Sequence, residues 1–206
     1  MAELYRTVVM GASAGGMSAL ATILARLPKD FPASVVIVQH VKEEGTDGYR
    51  AVFLGKRCPL PVKEAIDKEP LKRGIVYLAP AGYHLLVEET GTLSLSVDPP
   101  VNFSRPSIDV LFESAATVFG ERLIGVILTG ANSDGSHGIR KIKEYGGYTM
   151  VQAPSEAEVP AMPLAAMESA DIDAVLTLAE IGGFLTGIGD HPIPEAPAMP
   201  HQTTTI

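Results

Sequence analysis

Val8-Val9-Met10-Gly11-Ala12-Ser13-Ala14-Gly15-Gly16-Met17 is the stretch on which the fold turns. An apolar run ends in a glycine-rich turn with a serine at its centre, and a helix-like segment then continues to Leu27. Strand, tight turn and helix in that order are the setting of a nucleophile elbow. Small flanking residues let the chain turn without side-chain clashes, and the helix end offers free N–H groups to a developing oxyanion. Two other readings compete on the motif alone. Glycine-rich βα turns also bind dinucleotide phosphates, but the second glycine of that fingerprint is here Ser13 itself. No acidic residue closes the next strand, where His40 stands instead, and no Gly-Lys-Ser/Thr end is present. Ser13 would equally serve as a turn or capping residue, so the other strand ends have to decide.

Outward from the elbow, the first half alternates strand 6–10, helix 16–27, strand 34–39 and a helix near 46–56, a parallel α/β pattern. Residues 62–99 differ: short segments at 62–65, 74–79, 84–88 and 93–97, separated by Pro and Gly, read as a meander or hairpin appended to the sheet. Helix spacing returns over Ile108–Phe119, with Ile108, Leu111, Phe112, Ala115 and Phe119 on one face and Pro106-Ser107 preparing its start. Strand 123–128, loop 129–135, a helix from about His137 to Tyr145 and strand 148–152 resume the alternation. Residues 162–169, strand 174–176 and helix 178–187 complete it. The expected architecture is a three-layer, doubly wound, mostly parallel Rossmann-like sheet carrying an appended β-hairpin or meander.

Strand ends in such a sheet face one crevice, so polar residues there are the candidates for chemistry. His40 closes the all-apolar strand 35–39, and if the first two strands are neighbours it shares an edge with Ser13. A neutral imidazole can take the serine proton and return it to a leaving group. A solvated or capping histidine is the plain alternative. His137, beside Asp134 at a helix start, is the rival base; His84 lies in the meander, and His191 and His201 lie in the tail. Asp134 follows the most apolar strand in Thr129-Gly-Ala-Asn-Ser-Asp-Gly135. Its plain role is N-cap of the next helix. Its chemical role would be to hold the imidazole Nδ1–H, fix the tautomer and stabilise the imidazolium. Asp47, Asp109 and Asp171 follow no confident strand.

With 206 residues, 46% of them hydrophobic and 19% charged, the chain suits one well-buried domain, taken here as 1–189. The stretch 190–206 is too rich in proline for regular structure and reads as a disordered or extended tail. A net charge of −8 argues against broad binding to nucleic acid or anionic membrane. The apolar runs are strand-sized, which excludes membrane insertion. Cys58 is alone, so no internal disulfide can form, and no signal peptide precedes the first strand. The default location is the cytoplasm.

Taken together, Gly11–Gly16, Val38-Gln-His40, Val101-Asn-Phe-Ser-Arg-Pro-Ser-Ile-Asp-Val-Leu-Phe112 and Gly125-Val-Ile-Leu-Thr-Gly-Ala-Asn-Ser-Asp-Gly135 resemble the catalytic domain of the CheB family, the chemotaxis protein-glutamate methylesterases. The likeness runs from about residue 5 to 187 and includes Tyr77-Leu-Ala-Pro80 and Ala161-Met-Pro163. It implies nucleophile Ser13, base His40 and orienting acid Asp134, in a chain order unlike that of the α/β-hydrolases. It also implies hydrolysis of glutamyl γ-methyl esters on chemoreceptor signalling helices with release of methanol, glutamine deamidation in some members, and no metal or organic cofactor. Two positions depart from the family: Ala14 where threonine is common, and Ala131 where a methionine is found near the oxyanion site. The chain opens at Met1 just before the first strand, so the expectation is not control by an attached receiver domain but constitutive activity, control by a separate regulatory protein, or service in a chemosensory-like pathway other than flagellar chemotaxis. Among Lys42, Arg50, Lys56 and Arg105, the last is the best candidate cation for an acidic receptor surface. An adaptor with the same fold and no turnover, and a nucleotide-binding domain, are the alternatives from other classes.

Overall fold

Every residue of the first strand, β1 (Thr7–Ala12), is buried, as is every residue of β2 (Ser34–Gln39). Burial on both faces is what a continuous apolar run demands, because such a strand has no side left for water. The computed structural model describes residues 6–40 and 48–189. Within them, β1 and β2 are the middle of a seven-stranded sheet that also contains β3 (Val62–Glu64), β4 (Val76–Leu78), β7 (Leu123–Ile127), β8 (Tyr148–Gln152) and β9 (Ala174–Leu176). The order is β3-β4-β2-β1-β7-β8-β9, and each neighbouring pair is parallel. The doubly wound α/β expectation is therefore met.

Helices cover both faces. α1 (Gly16–Leu24) and α6 (Leu178–Thr186) close a core built on Val8, Met10, Val35 and Ile37, while α3 (Ile108–Phe119), α4 (Ser136–Glu144) and α5 (Ala161–Ser169) close the other on Val9, Val36 and Ile127. Alternation of Val8 and Val9 between the two cores is the period-two side-chain pattern of a strand. α2 (Tyr49–Gly55) is shorter than the expected 46–56 helix, whose first two residues lie outside the described residues.

The appended meander needs correction. Only β5 (His84–Val87) and β6 (Leu93–Ser96) form a separate antiparallel hairpin, which packs on α3. β3 and β4 join the main sheet instead, Val76 pairing with Val35 on one side and Val62 on the other. They were misread because each is only three residues long, too short to show a period, and their partners are distant in sequence. Among the described residues no helix is long and apolar enough to cross a membrane.

Candidate active site

Parallel register does most of the assembly. Ala12 pairs with Gln39, so the next residues, Ser13 and His40, leave adjacent strand ends side by side, and the His40 N–H donates to the Ala12 carbonyl at 3.0 Å. On the other flank of β1, the Ser13 N–H donates to the Thr129 carbonyl at 2.9 Å, tying the serine to the loop that follows β7. The turn then closes through Gly16 N–H to Ser13 C=O at 2.9 Å, with Gly15 at φ +76° capping α1. That left-handed backbone is one that glycine adopts without the steric cost a side chain would add. Thr129, which the sequence reading passed over, fixes the elbow a second time: its hydroxyl donates to the Ala14 carbonyl at 2.8 Å. Gly130 completes the close packing, since a Cβ there would lie 1.9 Å from Met162 Sδ and 2.9 Å from Ser13 Cβ.

Asp134 lies beneath this edge. Its Oδ2 is 2.7 Å from His40 Nε2, with the histidine side chain 12% exposed and the carboxylate not exposed at all. The expected partner was the other ring nitrogen. Nε2 faces the carboxylate instead, which leaves Nδ1 without a hydrogen-bond partner among the described residues. Among the described residues no hydrogen bond joins Ser13 Oγ to the imidazole. Ser13 and His40 are both partly exposed, whereas Asp134 is buried.

The capping role given to Asp134 also lands elsewhere. α4 is capped by Gly135 at φ +96°, and Asp134 instead accepts from the first turn of α3, Ile108 N–H at 2.7 Å and Asp109 N–H at 3.2 Å. Ser107, which stands at the N-cap of α3, sends its hydroxyl to Asp134 Oδ1 at 2.8 Å and makes no side-chain cap of its own. A helix N-terminus is a favourable seat for a carboxylate. Burial opposes the charge on Asp134, but the His40 ring, the Ile108 N–H and the Ser107 hydroxyl outweigh it and hold the carboxyl below the ordinary aspartate value.

A second carboxylate lies behind the first. Asp109 is 4% exposed; it takes Gly138 N–H at 2.7 Å and Asn102 Nδ2 at 2.8 Å, and Asn102 Nδ2 also reaches Asp134 Oδ1 at 3.5 Å. Burial raises its pKa, the Gly138 N–H works against that, and repulsion from Asp134 adds to it. Its place one residue inside a helix start hid it from a search of strand ends.

The remaining candidates disperse. His137 Nδ1 meets Glu113 Oε1 at 2.6 Å, both about half exposed, so the rival base is a surface residue engaged away from Ser13. His84 is buried between Ser107 N–H and the Pro99 carbonyl. Arg50 is 3% exposed and bonded to Glu64 and the carbonyls of Gln39 and Ala79, which removes it as a surface cation. Arg105 Nη1 donates to the carbonyls of Val97 and Asp98, and Lys56 is exposed. Asp171 is exposed as well. Lys42, Asp47, His191 and His201 lie outside the described residues.

A family model described as CheB methylesterase matches residues 8–185 of this geometry. The chain belongs to the CheB methylesterase family. A Leptospira interrogans relative provisionally named protein-glutamate methylesterase/protein-glutamine glutaminase is 52% identical over 177 residues, covering 86% of this chain and 91% of its own. The protein-glutamate methylesterase/protein-glutamine glutaminase 2 of Anaeromyxobacter dehalogenans is 45% identical over 180 residues, 87% of this chain and 52% of its own. The chain thus spans nearly all of one CheB relative and about half of the other. Among solved structures, the CheB methylesterase catalytic domain of Thermotoga maritima aligns with a TM-score of 0.85 at 36% identity, covering 89% of this chain and 98% of that one.

Proposed function

We propose that this CheB-type chain is a serine hydrolase that removes methyl groups from glutamyl γ-methyl esters on chemoreceptor signalling helices, with Ser13 as nucleophile, His40 as base and Asp134 as orienting acid. The observation that carries the assignment is the buried 2.7 Å bond from His40 to Asp134 beside the partly exposed serine of the neighbouring strand. Ser13 Oγ attacks the ester carbonyl while its proton passes to His40 Nδ1. Asp134 stabilises the imidazolium so formed through Nε2–H. The N–H groups of Ala14 and Ala131 accept no assignment elsewhere, since neither has a hydrogen-bond acceptor among the described residues, and they are the donors for the oxyanion. The C–OCH₃ bond then breaks and methoxide leaves as methanol with the proton from Nδ1. Water attacks the acyl-serine, gives its proton to Nδ1, and Ser13 recovers it as the glutamate carboxylate departs. On a glutamine the same sequence would release ammonia.

The same reading takes 1–189 as one catalytic unit working in the cytoplasm; the proline-rich 190–206 lies outside the described residues. The test is methanol release from receptor cytoplasmic fragments carrying labelled methyl esters. Wild type releases methanol, and Ser13→Ala and His40→Ala do not. A folded wild type inactive on several methylated receptors would leave the adaptor reading in its place.

A further inference from the structure

One side chain lies between serine and histidine and takes no part in the triad. Gln39, the last residue of β2, is 5% exposed, and its Nε2 donates both to the Ser13 carbonyl at 2.9 Å and to the His40 carbonyl at 3.0 Å. Because both partners are acceptors, the amide nitrogen has to face them. Its oxygen is thereby turned into the protein, where Oε1 is buried and finds no donor. An unpaired buried acceptor is a standing cost, and methionine would fill the same space without it. The start of α1 is also shaped around this amide: a Cβ on Gly16 would lie 2.1 Å from Oε1.

We propose that Gln39 is a positioning residue, one carboxamide that ties the carbonyl of the nucleophile to the carbonyl of the base and sets the spacing between them. The inference rests on the triad reading above. Serine and imidazole stand on separate strand ends, and no hydrogen bond between their side chains holds them together among the described residues. Their alignment therefore depends on the backbone, where a shift of about 1 Å can lower a rate by roughly 10²-fold.

In the full chain, Gln39→Met is expected to lower kcat for methanol release at least tenfold while KM stays within twofold of wild type. The rate at which a small phosphonofluoridate labels Ser13 should fall in parallel, counted per folded molecule from a thermal melt. Gly16→Ala sets a Cβ 2.1 Å from the same amide oxygen, and 2.7 Å from Ala12 Cβ, and should give the same split. Rates per folded molecule that match wild type in both variants, or a rise in KM with kcat unchanged, would overturn the proposal. The two readings fail separately. A wild type that is labelled at Ser13 yet releases no methanol sinks the ester substrate, and the labelling rates then decide the role of Gln39 alone. A wild type that is neither labelled nor active sinks both.

Discussion

At Asp134 a change of one atom separates charge from shape. Asp134→Asn keeps the volume but loses the anion that steadies the imidazolium and turns an NH2 toward donors that now find an oxygen, so kcat should fall by roughly 10⁴-fold. Assay of methanol release by this variant, folded as judged by its melt, checks that. The two buried aspartates also pull stability in opposite directions. Asp134 is held below the ordinary aspartate value of about 3.9, so its contribution is complete above that pH and is lost as pH falls through the folded-state value. Asp109 is pushed above it, so the folded state binds the extra proton and stability declines as pH rises from about 3.9 through the raised value. Asp109→Asn removes only the second effect. Urea melts should therefore show this variant gaining on wild type as pH climbs through that window, and a constant difference across it would refute the assignment. That Ser13, His40 and Asp134 would gather at one edge of the sheet was legible in sequence because each lies in the turn or loop after an apolar run. Gln39, Ser107 and Thr129 were not, because an uncharged side chain bonded to a backbone or a carboxylate leaves no pattern in a single sequence.

Helix α3 and the turn before it act as one unit. Val101 and Ser104 exchange two backbone hydrogen bonds at 2.9 and 3.1 Å around Asn102 and Phe103, which stand at φ +49° and +61°. Asparagine tolerates that region, whereas phenylalanine is an outlier there, and its ring is fully exposed. Asn102 ties the same turn to Asp109 and Asp134, so the exposed ring stands one residue from the rim of that hydrogen-bond network. A methyl ester on a helix would bring aliphatic neighbours to that rim. Phe103→Gly is expected to raise KM for receptor fragments several-fold, leave turnover of a small soluble ester unchanged, and not lower the melting midpoint. Equal kinetics on the receptor fragment would dismiss the ring as a contact. Behind the turn, Ser107→Ala removes a hydrogen bond to a charged carboxylate and should cost about 1.5–3 kcal/mol in a denaturant melt. The sequence marked α3 from its apolar spacing to the residue, Ile108–Phe119, and marked segments at 62–65 and 74–79, yet it gave these to the meander because nothing local says that three residues will find a parallel partner in the main sheet.

Across the whole molecule, site and core are the same construction seen from two ends. Phe112 is fully buried in the layer formed by α3, α4 and α5, and Phe112→Ala should cost about 3–5 kcal/mol, loosening the helix whose first turn holds Asp134. Loss of activity at temperatures where the variant still retains most of its helix signal would mark that loosening. The doubly wound sheet was readable from alternating runs because buried parallel strands are nearly pure apolar segments, and strand ends then named the crevice. Its hydrogen-bond wiring was not, since it depends on residues as far as 94 and 115 positions apart meeting in one place. The seat of Asp134 has a bearing on how the chain comes to life. The pairing of β1 with β2 sets Ser13 and His40 on adjacent strand ends, but Asp134 gains the hydrogen bonds that seat it only once α3 has docked. With the triad proposed above, a half-formed molecule would be inert, and during refolding the return of turnover should trail the return of ellipticity, making hydrolysis a clock for the closing of the second layer.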